Sequence, residues 1–336
     1  MRHIQSIITA TAALTLTVIP VSCAKSAGPE SAGDFVELTV TADPGPTPIS
    51  TRATGDNTAG ENAVNSVQVF IYKDGVLESS TSQTGVLARI KVRIGDDKDI
   101  YVVTNAPDIP TASAGTPADL MNHPTTLGSN LVNNFVMTGH TTVTVYKPMS
   151  VTVPVTRMAA KIQLDHIILD TSSSLLAHET LVLKDLYLIN VAGSVDLEAA
   201  TAPSLWLNQR GWQGDVKMLC YEDLNSISLT SSHDVRHTFY CYPNATTHAD
   251  DTDDPVWSPR ETRLVLRVGT THFGDVYYPL SIPAIERNHC YHYDYIRLKG
   301  LGSESEDHIF ADEELEFSVS VTASWEEDPA EEHEVL

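Results

Sequence analysis

In segment after segment of this chain, apolar and polar residues alternate. The runs VELTVTA (36–42), VQVFIY (67–72), IYVVTN (100–105), TVTVYKPMSVTVPV (142–155), KIQLDHIIL (161–169), LVLKDLYLINVAG (181–193), RLVLRVG (263–269) and LEFSVSVTASW (315–325) all show this period of two. Filled with Val, Ile, Tyr and Thr, and separated by Gly, Pro, Asn and Asp, such runs predict half-buried β-strands. Asp74-Gly75 predicts a hairpin turn after the second run. Helical periodicity is scarce, and TPADLMNH (116–123) predicts one short helix capped by Thr116. The expected class is all-β, as two sandwiches in tandem that divide near residues 154–160. The second is interrupted by a polar loop, NATTHADDTDDP (244–255). No fixed-period repeat is visible, which argues against a solenoid or propeller.

The ends of the chain change this picture from a plain β-protein to an exported one. MRHIQS carries positive charge and leads into IITATAALTLTVIPVS, an uncharged apolar run with the length of a signal-peptide core and too short for a stable membrane span. Residues 1–22 are therefore expected to be removed. Ser22-Cys23 has the form of a bacterial lipoprotein site, in which the cysteine thiol takes a diacylglyceryl group, although Pro20 stands where such signals carry Leu. Acyl chains such as palmitate contribute about 0.8 kcal/mol per buried methylene, so a multiply acylated Cys23 would hold the precursor on a membrane face. With Cys23 set aside, Cys220, Cys241 and Cys290 permit at most one disulfide. Their spacings match no zinc knuckle or redox pair, and they read mostly as small apolar strand residues, with a Cys220 to Cys241 bridge left open. The formal net charge of −23 is spread along the chain. That balance disfavours nucleic acid, whose phosphates need a basic face, and suits solubility at a crowded surface.

Candidate chemistry is sparse. In RNHCYHYDY (287–295) the alternation places His289, Tyr291, Tyr293 and Tyr295 on one face of a strand and Cys290, His292 and Asp294 on the other. The second trio holds metal-ligand types, but same-face neighbours on one strand lie about 6.6 Å apart and converge on an ion only with help from a second strand. An aromatic strand packed on its neighbour, with no metal, is the simpler expectation. Asp250, Asp251, Asp253 and Asp254 supply carboxylates without the glycine and terminal glutamate of an EF-hand, and read as a solvated loop. No Gly-x-Ser-x-Gly, His-Glu-x-x-His or Walker loop is present. The expectation is a protein that is not an enzyme and needs no cofactor.

Several segments, in order, resemble the Bacteroides-type fimbrillin family, the subunits of type V pili with their anchor and tip relatives. They are the lipoprotein-like start, VQVFIYKDGVLESS (67–80), DIYVVTNAP (99–107), FVMTG (135–139), VTRMAAKIQLD (155–165), FYCYPN (239–244) and IERNHCYHYDYIRLKG (285–300). As punctuation, Asn105-Ala106-Pro107 would end a strand and Gly139 would supply a turn. Arg157 and Lys161 fall at the expected domain junction, where solvated strand-end charge competes on at least equal terms with a specific contact. The resemblance implies transthyretin-like sandwiches and a mechanism of assembly. A lipoprotein precursor reaches the outer membrane, an arginine-specific protease removes its N-terminal segment, and the vacated groove takes a β-strand from another subunit.

The parts for such a mechanism can be found in the chain. FVELTVTA places Val36, Leu38, Val40 and Ala42 on one face of a strand that would depart. Arg52 is the only basic residue between Lys25 and Lys73, in a turn-rich linker of Pro, Ser, Thr, Gly and Asp that a protease can thread. Cleavage is expected between Arg52 and Ala53. The C-terminal run places Leu315, Phe317, Val319, Val321, Ala323 and Trp325 on one face, a bulkier set suited to a donor strand. Replacing the first strand by this one would gain several kcal/mol, at roughly 1.5 to 3 kcal/mol per large side chain buried. The expected organisation is a signal peptide (1–22), a propeptide strand and linker (23–52), an N-terminal sandwich (53–155) and a C-terminal sandwich with the donor strand (156–336). Expected partners are other fimbrial subunits in homo- or heteropolymers, the arginine-specific protease, a membrane through the lipid, and a host or bacterial surface ligand. Two other jobs are open: an uncleaved anchor or a tip subunit, and, from a different class, a glycan-binding or hydrolytic surface lipoprotein using Trp206, Trp212 and the tyrosines at 291, 293 and 295.

Overall fold

The structure, a computed structural model, describes residues 34–45, 60–173, 176–246, 256–282, 284–308, 315–323 and 325. Cys23, Arg52, Ala53 and the four aspartates at 250, 251, 253 and 254 lie outside the described residues. The first half holds β1 (Phe35–Asp43), β2 (Ser66–Lys73), β3 (Val76–Thr84), β4 (Leu87–Arg93), β5 (Gly95–Thr104), β6 (Pro124–Thr126), β7 (Met137–Val145), β8 (Met149–Pro154) and β9 (Thr156–Arg157). One sheet runs β4-β1-β8 and a second β3-β2-β5-β7-β9. Between them Leu38, Val40, Val69, Ile71, Ile90 and Val102 are buried in one core, because every second residue of each strand points to the facing sheet.

The second half holds β10 (Ala160–Leu169), β11 (Leu181–Ile189), β12 (Val191–Ala192), β13 (Ser194–Asp196), β14 (Trp206–Leu207), β15 (Tyr221–Leu229), β16 (Ser232–Cys241), β17 (Thr262–Thr270), β18 (Gly274–Ile282), β19 (Cys290–Leu298) and β20 (Leu315–Thr322). Two four-stranded sheets, β16-β10-β19-β20 and β15-β11-β17-β18, bury Ile162, Leu164, Leu183, Leu266 and Tyr293 in a larger core. The chain is all-β, as its alternation predicts. The major sheets change over between Arg157 and Ala160, yet the halves are knit together. β13 pairs with β6, and Phe70, Tyr72 and Val103, on the other side of β2 and β5, join the second core. The described residues from Phe35 onward form one compact unit.

Local signals hold where they rest on backbone chemistry. Asp74 and Gly75 both take left-handed angles (φ 51° and 75°) in the β2–β3 hairpin, as a two-residue turn requires. The short helix α1 (Pro117–Met121) starts with a capping box, in which Thr116 accepts from the Asp119 N–H at 3.2 Å and its own N–H donates to the Asp119 carboxylate at 3.0 Å. Asn105 does more than end a strand. At φ 57° its side chain accepts from the Asn65 N–H (2.8 Å) and donates to the carbonyls of Ala63 (2.7 Å) and Phe135 (2.9 Å), joining three segments.

Gly139 does not make the turn expected of it. It lies inside β7, opposite Val102, and an added Cβ would sit 2.0 Å from the carbonyl oxygen of Pro154. There the chain passes from β8 in one sheet to β9 in the other, so the glycine permits a backbone crossing. Gly139→Ala is expected to lower stability by about 1–3 kcal/mol, the usual cost of overpacking, measured by urea unfolding. Wild-type stability in that variant would mean that the Pro154 crossing gives way freely.

Candidate assembly site

The strand upstream of Arg52 is built into the body. β1 lies in the middle of its sheet, antiparallel to β4 from Phe35↔Arg93 to Thr41↔Leu87 and parallel to β8 from Leu38↔Met149 to Asp43↔Pro154. The Ala42 N–H donates to the Val86 carbonyl (2.9 Å), and the Val155 N–H donates to that of Asp43 (2.8 Å). Leu38, Val40 and Ala42 are buried and Val36 is packed at the margin of the same core, while Phe35, Glu37, Thr39 and Thr41 face outward. This is the division of faces that the alternation predicts. Burying Leu38 and Val40 alone contributes about 3–6 kcal/mol. Removing β1 would bare the apolar sides of Ile90, Val92 and Val153 and leave β4 and β8 with facing, unpaired edges.

The C-terminal run occupies a different position. β20 is an edge strand that pairs with β19 alone among the described residues, antiparallel from Leu298↔Leu315 to Cys290↔Thr322. Its apolar face is used unevenly. Leu315 and Trp325 are buried, Phe317 and Val319 are half-buried against the second core, and Val321 (54 % exposed) and Ala323 face solvent. The gain expected from exchanging the first strand for this one therefore shrinks, because Leu315, Phe317, Val319 and Trp325 already have partners in their own chain. Sequence alone supplied a fully exposed reference for a strand that is docked.

Trp325 closes a cluster at the change of sheets. Its indole N–H donates to the His289 carbonyl at 3.0 Å, and its ring lies edge-on to Phe135, with centroids 5.3 Å apart, and beside Tyr240 at 5.6 Å. The Arg157 guanidinium sits 4.5 Å and the Lys161 ammonium 5.7 Å from its centroid. Both cations are buried, not solvated strand-end charges as expected, because each has partners. Lys161 pairs with the fully buried Glu61 at 2.9 Å, and Tyr240 donates to the same carboxylate at 2.6 Å. Burial, together with the charge of Glu61, raises the Tyr240 hydroxyl well above its ordinary pKa. Arg157 donates to the Glu61 carbonyl (3.2 Å), to Asn288 (3.2 Å) and to the Asn62 side-chain oxygen. Glu61 gave no signal in the sequence, since a lone acid after a polar linker reads as surface.

The RNHCYHYDY strand is rearranged by a bulge. Asp294 is the extra residue between the pairs Tyr293↔Val319 and Tyr295↔Ser318. Tyr291 and Tyr293 point into the core, whereas Tyr295 leaves that face and donates to Glu316. The second strand needed beside His292 is β10, which brings Asp165. One imidazole nitrogen of His292 is 3.1 Å from Asp165 and the other 3.8 Å from Asp294. Each nitrogen faces its own carboxylate, an arrangement suited to tying β10 to β19. Cys290 is not in that group and lies 3.2 Å from the Gln163 side-chain oxygen. Cys220, Cys241 and Cys290 are buried free thiols, so the open Cys220 to Cys241 bridge is not made. Burial pushes Cys241 and Cys290 up to about 12. Trp212 stacks on Tyr221 at 4.9 Å and Trp206 packs against Trp257 at 5.3 Å. With Tyr291 and Tyr293 in the core, the aromatic row considered for sugar stacking does not form.

Residues 35–169 match the family model of the major fimbrial subunit protein, FimA. No curated protein matches the chain in sequence. Among solved structures, a candidate cell adhesion protein from Bacteroides eggerthii superposes with a TM-score of 0.62 at 18% identity, covering 86% of this chain and 96% of that one. A fimbrilin (FimA) from Porphyromonas gingivalis superposes with a TM-score of 0.59 at 14% identity, covering 85% and 96%. A candidate cell adhesion protein from Parabacteroides distasonis gives 0.62 at 15% identity, covering 86% and 96%. At these identities the likeness is one of fold, and it spans both halves of the body. The family model matched over residues 35–169 is that of the FimA-type fimbrillins, the family that the sequence motifs of this chain resemble.

Proposed function

We propose that this chain is a structural subunit of an adhesive cell-surface fimbria. It is exported as a lipoprotein precursor anchored at the outer membrane through Cys23, cut between Arg52 and Ala53, and polymerised when the C-terminal strand of one subunit takes the place of β1 in another. The observation that carries this reading is the seat of β1. A strand paired on both sides, upstream of the lone arginine, is also the strand whose loss would leave a groove with two free edges. The FimA match supports a structural, non-enzymatic job within a fimbria. On this reading residues 23–52 are the propeptide, 53–155 and 156–336 are the two sandwich domains, and the partners are other subunits and an arginine-specific protease.

Backbone pairing gives the exchange a direction. β20 makes one ladder in its own sheet, and a strand between β4 and β8 makes two. Each added backbone hydrogen bond contributes about 0.5–1.5 kcal/mol net. Val321 and Ala323, idle and exposed on β20, would become buried. A second reading, an anchor subunit that keeps its lipid and β1, is favoured by the docked state of β20, which presents no free donor.

Two measurements test these readings. N-terminal sequencing of polymerised surface material is expected to begin at Ala53, and a lipid-bearing Cys23 as first residue would overturn cleavage in favour of the anchor. Val321→Asp is expected to leave the monomer within roughly 0.5 kcal/mol of wild type, as for most exposed positions. It should abolish detergent-stable polymers, because an unpaired carboxylate would enter the groove core. Polymer ladders equal to wild type would remove β20 as the donor.

A further inference from the structure

If β20 is a donor, something must hold it on its own sheet until the groove is open. We infer that Trp325 is this latch, and that it is tied through Arg157 and Asn62 to the strand that must leave first. The inference rests on the donor reading of β20 and adds to it the residue that controls release.

β20 is held along one edge only, by its ladder to β19 and by Leu315, Phe317 and Val319 against the core. It is an edge strand with one neighbour among the described residues, and of the six apolar residues in the 315–325 run Val321 and Ala323 lie in solvent. Trp325, beyond its last paired residue, is the anchor. The indole is buried with two cations near its ring and its N–H on the His289 carbonyl, and a desolvated cation over an aromatic face is among the stronger contacts a single side chain makes. Neither cation belongs to β20 or its sheet neighbour β19. Arg157 and Lys161 lie at the change of sheets, oriented by the main chain of Glu61, the side chain of Asn62 and the Glu61 carboxylate.

That orientation reaches β1. The Asn62 amide donates to the carbonyl of Gly45, just past β1, at 3.4 Å, while its oxygen accepts from Arg157. On the other side, Asp43 pairs with Pro154 and its carbonyl takes the Val155 N–H, two residues before Arg157. Loss of β1 thus removes a partner from both segments that position the guanidinium under Trp325. Glu61 and Asn62 follow Arg52 in the chain and stay with the body after a cut. The latch is weakened when β1 leaves after that cut, not destroyed with the propeptide.

Hydrogen exchange of backbone amides reads the latch directly, since it reports opening segment by segment. The full chain is compared as wild type, Trp325→Ala and Trp325→Phe, before and after treatment with an arginine-specific protease. In the uncut protein Trp325→Ala is expected to speed exchange in residues 315–322 by about tenfold or more, consistent with losing one desolvated cation–aromatic contact, while residues 35–43 keep wild-type protection. Trp325→Phe, which keeps an aromatic face, should restore most of the difference. Cleavage of the wild type at Arg52 should speed exchange in 315–322 to a similar extent once β1 has left, its departure read by mass as loss of the peptide that carries residues 35–43. Unchanged exchange there in uncut Trp325→Ala, or in cut wild type that has lost β1, overturns the latch. The donor reading fails separately: strands that loosen as expected and form no polymers leave the latch standing and remove the donor, and polymers formed with no loosening do the reverse.

Discussion

A carboxylate with no contact with water must be given partners by the fold, and Glu61 takes its partners from far along the chain. Lys161 and Tyr240 close on it from β10 and β16, and Arg157 takes its carbonyl. Removing one member of such a group leaves a charge buried without compensation, which is far more costly than the group's net contribution to stability. The cluster is therefore a constraint more than a source of stability. It requires residues 60–62, the crossing at 154–161, β16 and the approach to β19 to meet at one place.

Around that fixed point the two terminal strands differ in kind. β1 is held on both edges and by three buried side chains, and its removal would expose apolar surface on two sheets. β20 is held on one edge, and its face toward the core is only partly used. The first is a structural member of its sheet, and the second is an addition to a sheet that has three other strands. Such an asymmetry is what a chain needs if one terminal strand is to be replaced and the other is to travel.

Strand positions were readable from alternation because one face of nearly every strand meets a core, so the period of two is written into the residues themselves. The outward and inward sets of β1 follow it residue by residue. Features that depend on other segments were not readable. Asp294 is an ordinary polar residue until its partner strand skips it, and the skip moves Tyr295 off the face shared by Tyr291 and Tyr293. Gly139 has the composition of a turn and the location of a crossing. Arg157 and Lys161 look like surface charge because their partner, Glu61, lies about a hundred positions away. The C-terminal face was correctly seen as apolar, but its occupancy is set by the core beneath it and by Trp325.

The covalent attachment of β1 to the body also bears on timing. A strand covalently tethered to its groove acts at an effective concentration of order millimolar when the tether is short. No strand from solution, present at far lower concentration, displaces it on equal terms. Cutting the linker changes no contact in the sheet, yet it turns a unimolecular return into a bimolecular one. If the proposed cut is made, the occupant would then be chosen by affinity and supply, and the linker would serve as a clock as well as a connection.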